Sequence, residues 1–131
     1  MESEFSDPMV HEKVLFTLHS ISETIDNIIE WNKDVDSAED YYATPGGMQL
    51  LAANCTLITA IGEGVKRISR IAPDFLSCNF PEIPWRDIIG MRNHIAHGYF
   101  ELDADIVFDT VKNGVPALKP TILRAIDICK K

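Results

Sequence analysis

Four polar side chains of different chemistry lie close together in the second half of the chain. They are a guanidinium, an amide, an imidazole and a phenol, carried by Arg92, Asn93, His97 and Tyr99. On a helix that turns by about 100° per residue, Asn93 and His97 lie one above the other, and the long Arg92 side chain can bridge the roughly 140° to His97. Gly98 predicts the end of this helix, so Tyr99 leaves at an angle set by the turn. The spacing therefore predicts that the four groups converge at a helix C-terminus.

These groups are suited to cutting RNA without a metal. RNA carries its own nucleophile, the 2′-hydroxyl beside the scissile phosphate, and a histidine can take that proton or protonate the leaving oxygen. An arginine fork can stabilise the charge that gathers on the phosphoryl oxygens. One histidine cannot easily be base and acid at once, so a second copy of the chain facing the first would supply the other group.

Plainer interpretations remain open from the spacing alone. An arginine and a histidine five positions apart occur by chance in many helices, and a histidine at an exposed helix C-terminus is favoured by the helix dipole. His94 and His97 could also bind a metal together with Glu101 or Asp103, but a solvated His94 is the favoured interpretation of that spacing. The sequence therefore predicts no metal site and no cofactor.

The elements that must position these side chains are predicted to be helices. Apolar residues recur at steps of three and four along nearly the whole chain, and no alternating pattern indicates a strand. The sequence predicts an all-α bundle of four to six helices with mostly antiparallel neighbours. The predicted elements are a long helix from Pro8 that fades at Trp31, a short helix near 38–43, a long helix from Met48 to the breaker Pro73, a loop over 74–84, a helix from Trp85 to His97, a helix from the cap Asp103 to about Asn113, and a last helix through Leu118 and Cys129.

Breaks and small residues refine this prediction. Residues 44–47, Thr-Pro-Gly-Gly, predict a break before the second long helix, and Asn113-Gly114 with Pro116 predicts an interruption before the last helix. Gly62 and Gly64 each cost about 1 kcal/mol relative to alanine inside a helix. They therefore predict tight packing against another backbone, and such faces also suit a dimer.

The length and composition predict one soluble domain over 1–131. The chain has 131 residues, of which 46% are apolar and 24% charged. Its three cysteines, Cys55, Cys78 and Cys129, are widely spaced and lack a CxxC pair, which favours small buried thiols in a reducing cytoplasm over a disulfide framework or a zinc knuckle. An acidic N-terminus does not resemble an export signal, and no apolar run approaches the ~20 residues of a membrane helix.

The net charge of −8 is unevenly distributed. Residues 1–50 carry eleven acidic and two basic side chains, whereas residues 51–131 carry nine acidic and ten basic side chains. An acidic molecule repels bulk nucleic acid, which favours proteins with a positive field. This excludes a protein that coats DNA, and it leaves room for a single phosphate site in the second half.

Three segments around the polar group resemble the HepT-like branch of the HEPN superfamily. They are residues 61–69, 81–93 and 97–100. The resemblance extends over nearly the whole chain, and its most specific motifs lie in residues 61–111. The family motif is an arginine, four residues, a histidine, one residue and a tyrosine, and its polar residue follows the arginine. The motif is intact here, whereas Gly64 stands where the family is expected to have alanine.

The resemblance implies a fold and an activity. It implies a helical homodimer whose motifs meet in a cleft and act as a metal-independent endoribonuclease, the toxin of a toxin–antitoxin pair. His97 is then the general acid or base, Arg92 binds the phosphate and stabilises the transition state, and Asn93 orients them. The antitoxin is an MntA-like nucleotidyltransferase that transfers AMP to the motif tyrosine, here Tyr99. Each AMP would add bulk and negative charge beside Arg92 and His97.

Four residues of the second long helix are secondary candidates. Glu63 either lines the cleft and orients the motif side chains or is a rim carboxylate paired with Lys66 or Arg67. Lys66, Arg67 and Arg70 either guide the RNA backbone or form a solvated face that complements the helix C-terminus. The spacing leaves both alternatives open.

A binding role is the alternative to catalysis. A helical subunit that partners a nucleotidyltransferase without cutting anything would fit the same fold. Such an adaptor needs neither Arg92 nor His97, so the complete pair favours the nuclease.

Overall fold

Every regular element among the described residues, 7–91, 93 and 102–131, is helical in the computed structural model of the chain. The all-α prediction is therefore confirmed for this part of the chain. The elements are α1 (Pro8–Trp31), α2 (Asp40–Ala43), α3 (Pro45–Ile71), α4 (Phe75–Asn79), α5 (Trp85–Ile89), α6 (Ala104–Asp109), a π-helical turn (Thr110–Gly114) and α7 (Val115–Lys130).

The helix α1 begins and ends where the sequence predicts. The Asp7 carboxylate accepts a hydrogen bond from the Met9 backbone N–H at 2.9 Å, and Pro8 occupies the first turn, where a missing N–H costs little. One face of α1, which includes Leu18 and Ile25, is completely buried. This face packs against α3 and α7, so α1 lies at the centre of the bundle.

The predicted break at residues 44–47 is confined to Thr44. The Thr44 hydroxyl accepts from the Gly47 N–H at 2.9 Å and caps α3, which begins at Pro45. A Cβ on Gly47 would lie 2.7 Å from the carbonyl oxygens of Asp40 and Tyr41. Glycine is therefore required there because α2 and the first turn of α3 touch through their backbones.

The predicted loop over 74–84 is wrong in its first half. The structure forms the short helix α4 there, because Phe75 and Leu76 are buried in the core side by side. The chain then turns into α5, where the indole N–H of Trp85 donates to the Phe80 carbonyl at 3.0 Å. The buried Phe75 and Leu76 anchor the start of this connection, and the hydrogen-bonded Trp85 anchors its end.

The predicted interruption near Asn113-Gly114 is also wrong. A π-helical turn carries α6 directly into α7, so the backbone stays helical through both residues. A wide turn accommodates one extra residue without ending the helix. Pro116 falls in the first turn of α7, where proline is tolerated. The Lys112 ammonium donates to the Asn32 carbonyl at 2.8 Å and holds this turn against the end of α1.

A buried polar network joins α1, α2 and α3. The Tyr41 hydroxyl donates to Asn32 Oδ1 at 2.8 Å, and the two asparagines Asn32 and Asn54 exchange amide hydrogen bonds at 2.8 and 2.9 Å. All three side chains are essentially inaccessible to solvent. Burial raises the pKa of Tyr41 to about 12, so the hydroxyl stays protonated and keeps its donor role.

The burial of the three cysteines agrees only in part with the prediction. All three cysteines are free thiols; Cys129 is buried and Cys55 half-buried, but Cys78 is exposed on α4, so the prediction of a buried thiol is wrong there.

By length and composition alone α3 could cross a membrane. Its apolar face instead packs against α1, α2 and α5, as expected for the core helix of a bundle.

Candidate active site

The helix α5 rests directly on α3 at Gly62. A Cβ built on Gly62 would lie 2.9 Å from the carbonyl oxygen of Ile88 and 3.3 Å from that of Ile89. Only a hydrogen atom fits in this space, and the contact is with backbone that cannot rotate away. The predicted close approach at Gly62 is therefore confirmed, and its partner is the helix that leads into the polar motif.

Replacing Gly62 with alanine should destabilise the protein. Overpacking costs about 1–3 kcal/mol, and the gain in helix propensity of about 1 kcal/mol offsets only part of it. We expect the free energy of unfolding to fall by about 1–2 kcal/mol, measured by urea denaturation. Gly46→Ala is the matched control, because a Cβ there meets only Thr44 Oγ1, at 3.9 Å. Equal stability of the two variants would contradict the contact.

A cavity of about 230 Å³ opens beside this contact, between α3 and α5. Its apolar lining residues include Ile58 and Ile89, and four polar residues line it, namely Thr59, Glu63, Lys66 and Asn93. Asn93 is exposed and helical, and its N–H donates to the Gly90 carbonyl at 3.0 Å. The cavity thus brings an acceptor, a cation and an amide together from two separate elements.

Three of these four polar side chains are available to a ligand. Within the described part of the chain, Glu63, Lys66 and Asn93 form no side-chain hydrogen bond and no ion pair. The alternative in which Glu63 pairs with Lys66 or Arg67 is therefore not formed here. A carboxylate and an ammonium that share a cavity without binding each other can each bind a separate group of a ligand.

The comparisons with known proteins identify the family. The model of the HepT-like ribonuclease family matches residues 21–125. The chain is 32% identical over 102 residues to the Probable ribonuclease HepT of Thermococcus cleftensis, which covers 78% of the chain and 86% of that protein. It is 30% identical over 105 residues to the Putative RNase MJ1380 of Methanocaldococcus jannaschii, covering 80% and 89%. The chain belongs to the HepT-like ribonuclease family. No solved structure matches it.

The HepT-like motif itself lies mostly outside the described residues. Arg92, His97 and Tyr99 are not among them, so their predicted convergence stays a prediction; Asn93 is the motif residue that the structure describes. The predicted uninterrupted helix from Trp85 differs at Gly90. There α5 ends after Ile89, and the Gly90 N–H bonds to the Arg86 carbonyl at 3.0 Å.

Of the four residues of the alternative metal site, the structure describes Asp103. His94 and Glu101 lie outside the described residues, as does His97. The Asp103 carboxylate accepts from the Ile106 N–H at 3.1 Å and caps α6. Among the residues that the structure describes, no group of three or more His, Cys, Asp or Glu side chains is arranged to hold a metal ion.

Gly64 packs tightly against side chains of α1 and not against another backbone. A Cβ on Gly64 would lie 2.9–3.0 Å from the side chain of Ile21 and 3.5 Å from that of Thr17. Ile21 is almost fully buried on α1, so glycine at 64 and isoleucine at 21 fill one space together. Both helix glycines thus contact the chain's own elements.

The two arginines near the end of α3 differ from Lys66 in their position. Arg67 and Arg70 are exposed and do not line the cavity. At about 100° per residue, Arg67 points well away from the Lys66 side of the helix.

The buried network of Asn32, Tyr41 and Asn54 was not predicted from the sequence. The feature that could have indicated it is the polar residue Asn54 within an apolar stripe.

Proposed function

We propose that this chain is a metal-independent endoribonuclease of the HepT type that acts as a homodimer in the cytoplasm. Membership of the ribonuclease family supports the activity. The observation that carries the proposal is that Asn93, the neighbour of Arg92 in the motif, lines a cavity shared with Glu63 and Lys66. A cation, a carboxylate and an amide in a cavity beside the motif can bind RNA next to the proposed catalytic residues.

The proposed reaction uses the nucleophile of the substrate. His97 removes the proton from the 2′-hydroxyl, the 2′-oxygen forms a bond to phosphorus, and the bond from phosphorus to the 5′-oxygen breaks. The leaving 5′-oxygen takes a proton from the acid, so the products are a 2′,3′-cyclic phosphate and a 5′-hydroxyl. Arg92 stabilises the charge on the phosphoryl oxygens, and Asn93 orients the reacting groups.

A second protomer would supply the second histidine. One imidazole must be neutral to act as the base and another must be protonated to act as the acid. Two motifs facing each other across a homodimer meet this requirement with identical chains. Arg67 and Arg70, on the final turns of α3 beside Lys66, would guide the RNA backbone toward that cleft.

The activity would be controlled by an MntA-like nucleotidyltransferase antitoxin that attaches AMP to Tyr99. The phosphate of AMP would neutralise Arg92 and occupy the place of the scissile phosphate. Co-expression with that antitoxin should raise the intact mass by one or more AMP units in the parent chain and not in Tyr99→Phe. An equal mass gain in Tyr99→Phe would contradict the assignment of Tyr99.

The proposed activity predicts cleavage of RNA in the presence of a metal chelator. Purified protein should cut a single-stranded RNA at an unchanged rate in excess EDTA, because neither the base nor the phosphate binder is a metal. DNA of the same sequence should stay intact, because it lacks the 2′-hydroxyl nucleophile. Product ends should carry the cyclic phosphate. Loss of activity in EDTA with rescue by zinc would contradict the proposal and would assign His94 and His97 as ligands.

A further inference from the structure

The cavity between α3 and α5 holds a carboxylate at a place where phosphates are expected to bind. Glu63 and Lys66 are both exposed and both line the cavity, and neither forms an ion pair within the described residues. An ionised carboxylate repels phosphate and can only accept hydrogen bonds. If the ligand is RNA, Glu63 must therefore face a group that donates, and the donors of RNA are the 2′-hydroxyl and the N–H groups of the bases.

The size of the cavity favours a base. Its volume of about 230 Å³ lies below the roughly 300–1,000 Å³ of pockets that enclose whole small-molecule ligands. The half-buried Ile89 offers apolar surface to the face of a ring, and Gly62 and Gly90 add no side chain to the space. Single-stranded RNA is commonly recognised by unstacked bases whose edges bond to protein groups. The cavity thus suits one ring system rather than a whole nucleotide.

The order of the polar groups points to one base. We propose that this cavity binds a single unstacked guanine of the substrate RNA; the inference rests on the proposed ribonuclease function. Guanine presents the acceptor O6 beside two adjacent donors, N1–H and N2–H, and the two oxygens of Glu63 accept both in a bidentate pair. Lys66 lies three positions further along α3, on the neighbouring surface, and donates to O6. Adenine, cytosine and uracil lack two adjacent donors on that edge.

The preference can be measured by mapping cuts in a pool of RNA with randomised sequence. The parent protein should cut with guanine enriched at one fixed position relative to the broken bond. Short RNAs that differ only at that position should show a kcat/KM for guanine about 5- to 150-fold above that for adenine, the range expected of a bidentate base contact.

Inosine and a carboxylate variant assign the preference to Glu63. Inosine lacks the N2 amino group, so the parent should cut the inosine RNA several-fold more slowly than the guanine RNA. Glu63→Gln, at an exposed position, should lower the ratio of guanine to adenine kcat/KM about tenfold and should no longer distinguish guanine from inosine. Glu23→Gln, an exposed glutamate on α1, is the matched control and should keep both ratios.

Each outcome separates the two proposals. If the parent cuts no RNA, the proposed function is wrong and the guanine site falls with it. If RNA is cut without guanine enrichment, or inosine is cut as fast as guanine, the ribonuclease stands and the guanine site is overturned. An equal loss of preference in Glu23→Gln would also overturn the assignment to Glu63.

Discussion

Replacing His97 with alanine should lower the kcat/KM for RNA cleavage by about 100- to 10,000-fold, the usual contribution of a general acid or base. The proposal gives His97 the proton of the 2′-hydroxyl, and alanine can neither accept nor donate it. Arg92→Ala should also lower kcat/KM, because the charge on the phosphoryl oxygens is then left without its positive partner. The measurement is single-turnover cleavage of a labelled RNA in EDTA.

The control for this variant is His19→Ala. His19 is exposed on α1 and does not line the cavity beside the motif, so its loss removes an imidazole outside the described part of the site. It should cleave at the parent rate. Expression of parent and His97→Ala alone in a bacterial host, scored for growth and RNA integrity, gives the cellular counterpart. Cleavage by His97→Ala at the parent rate would contradict the proposed role of His97 as general acid or base.

Replacing Asn54 with leucine should lower the free energy of unfolding by about 3 kcal/mol. The leucine fills a similar volume, but Asn32 loses one acceptor and one donor, and the Tyr41 hydroxyl loses the amide that bonds to it at 3.1 Å. Each hydrogen bond contributes about 0.5–1.5 kcal/mol, and the three bonds of the Asn54 side chain are lost together. Because the network joins α1, α2 and α3, the loss should appear as one cooperative transition in urea.

The matched control is Asn27→Leu on the exposed face of α1. Surface substitutions usually change stability by no more than about 0.5 kcal/mol. Tyr41→Phe should lie between the two, since it removes one hydroxyl and leaves the amide pair intact. If Asn54→Leu were as stable as Asn27→Leu, the buried network would not contribute to the fold as described.

The long helices were predictable because their periodicity is local. Pro8 supplies a start signal, and the apolar stripes of α1 and α3 are long enough to outweigh single exceptions, although α3 begins at Pro45 and not at the predicted Met48. The π-helical turn was not predictable, because Asn113-Gly114 is a strong local turn signal. Packing of the turn against α1, through Lys112 and the Asn32 carbonyl, overrides that signal.

Distant partners explain the other differences. The steps of three and four along α3 fit either Asn54 or Cys55 in the core, and the sequence favours the more apolar cysteine. The structure buries Asn54 completely and leaves Cys55 half-buried, because Asn32 and Tyr41 satisfy the amide from other helices. Polar partners remote in sequence leave no trace in a helical period.

The candidate site was predictable as a set of residue types and only partly as a place. Glu63 and Lys66 were identified on α3, and Gly62 indicated a close contact, but the sequence did not show that α5 makes it. The Ile88 carbonyl against Gly62 is what brings Asn93 to the same cavity. Local spacing fixes which residues share one helix, whereas their neighbours depend on how the helices cross.

Removing a single oxygen from the RNA shows whether the substrate supplies its own nucleophile. A short RNA whose cut position has been mapped is remade with one 2′-deoxy nucleotide on the 5′ side of that bond. We expect cleavage at this bond to fall below detection while other bonds of the same RNA are still cut. Cleavage there at the unmodified rate would show that another nucleophile attacks the phosphorus and would contradict the proposed reaction.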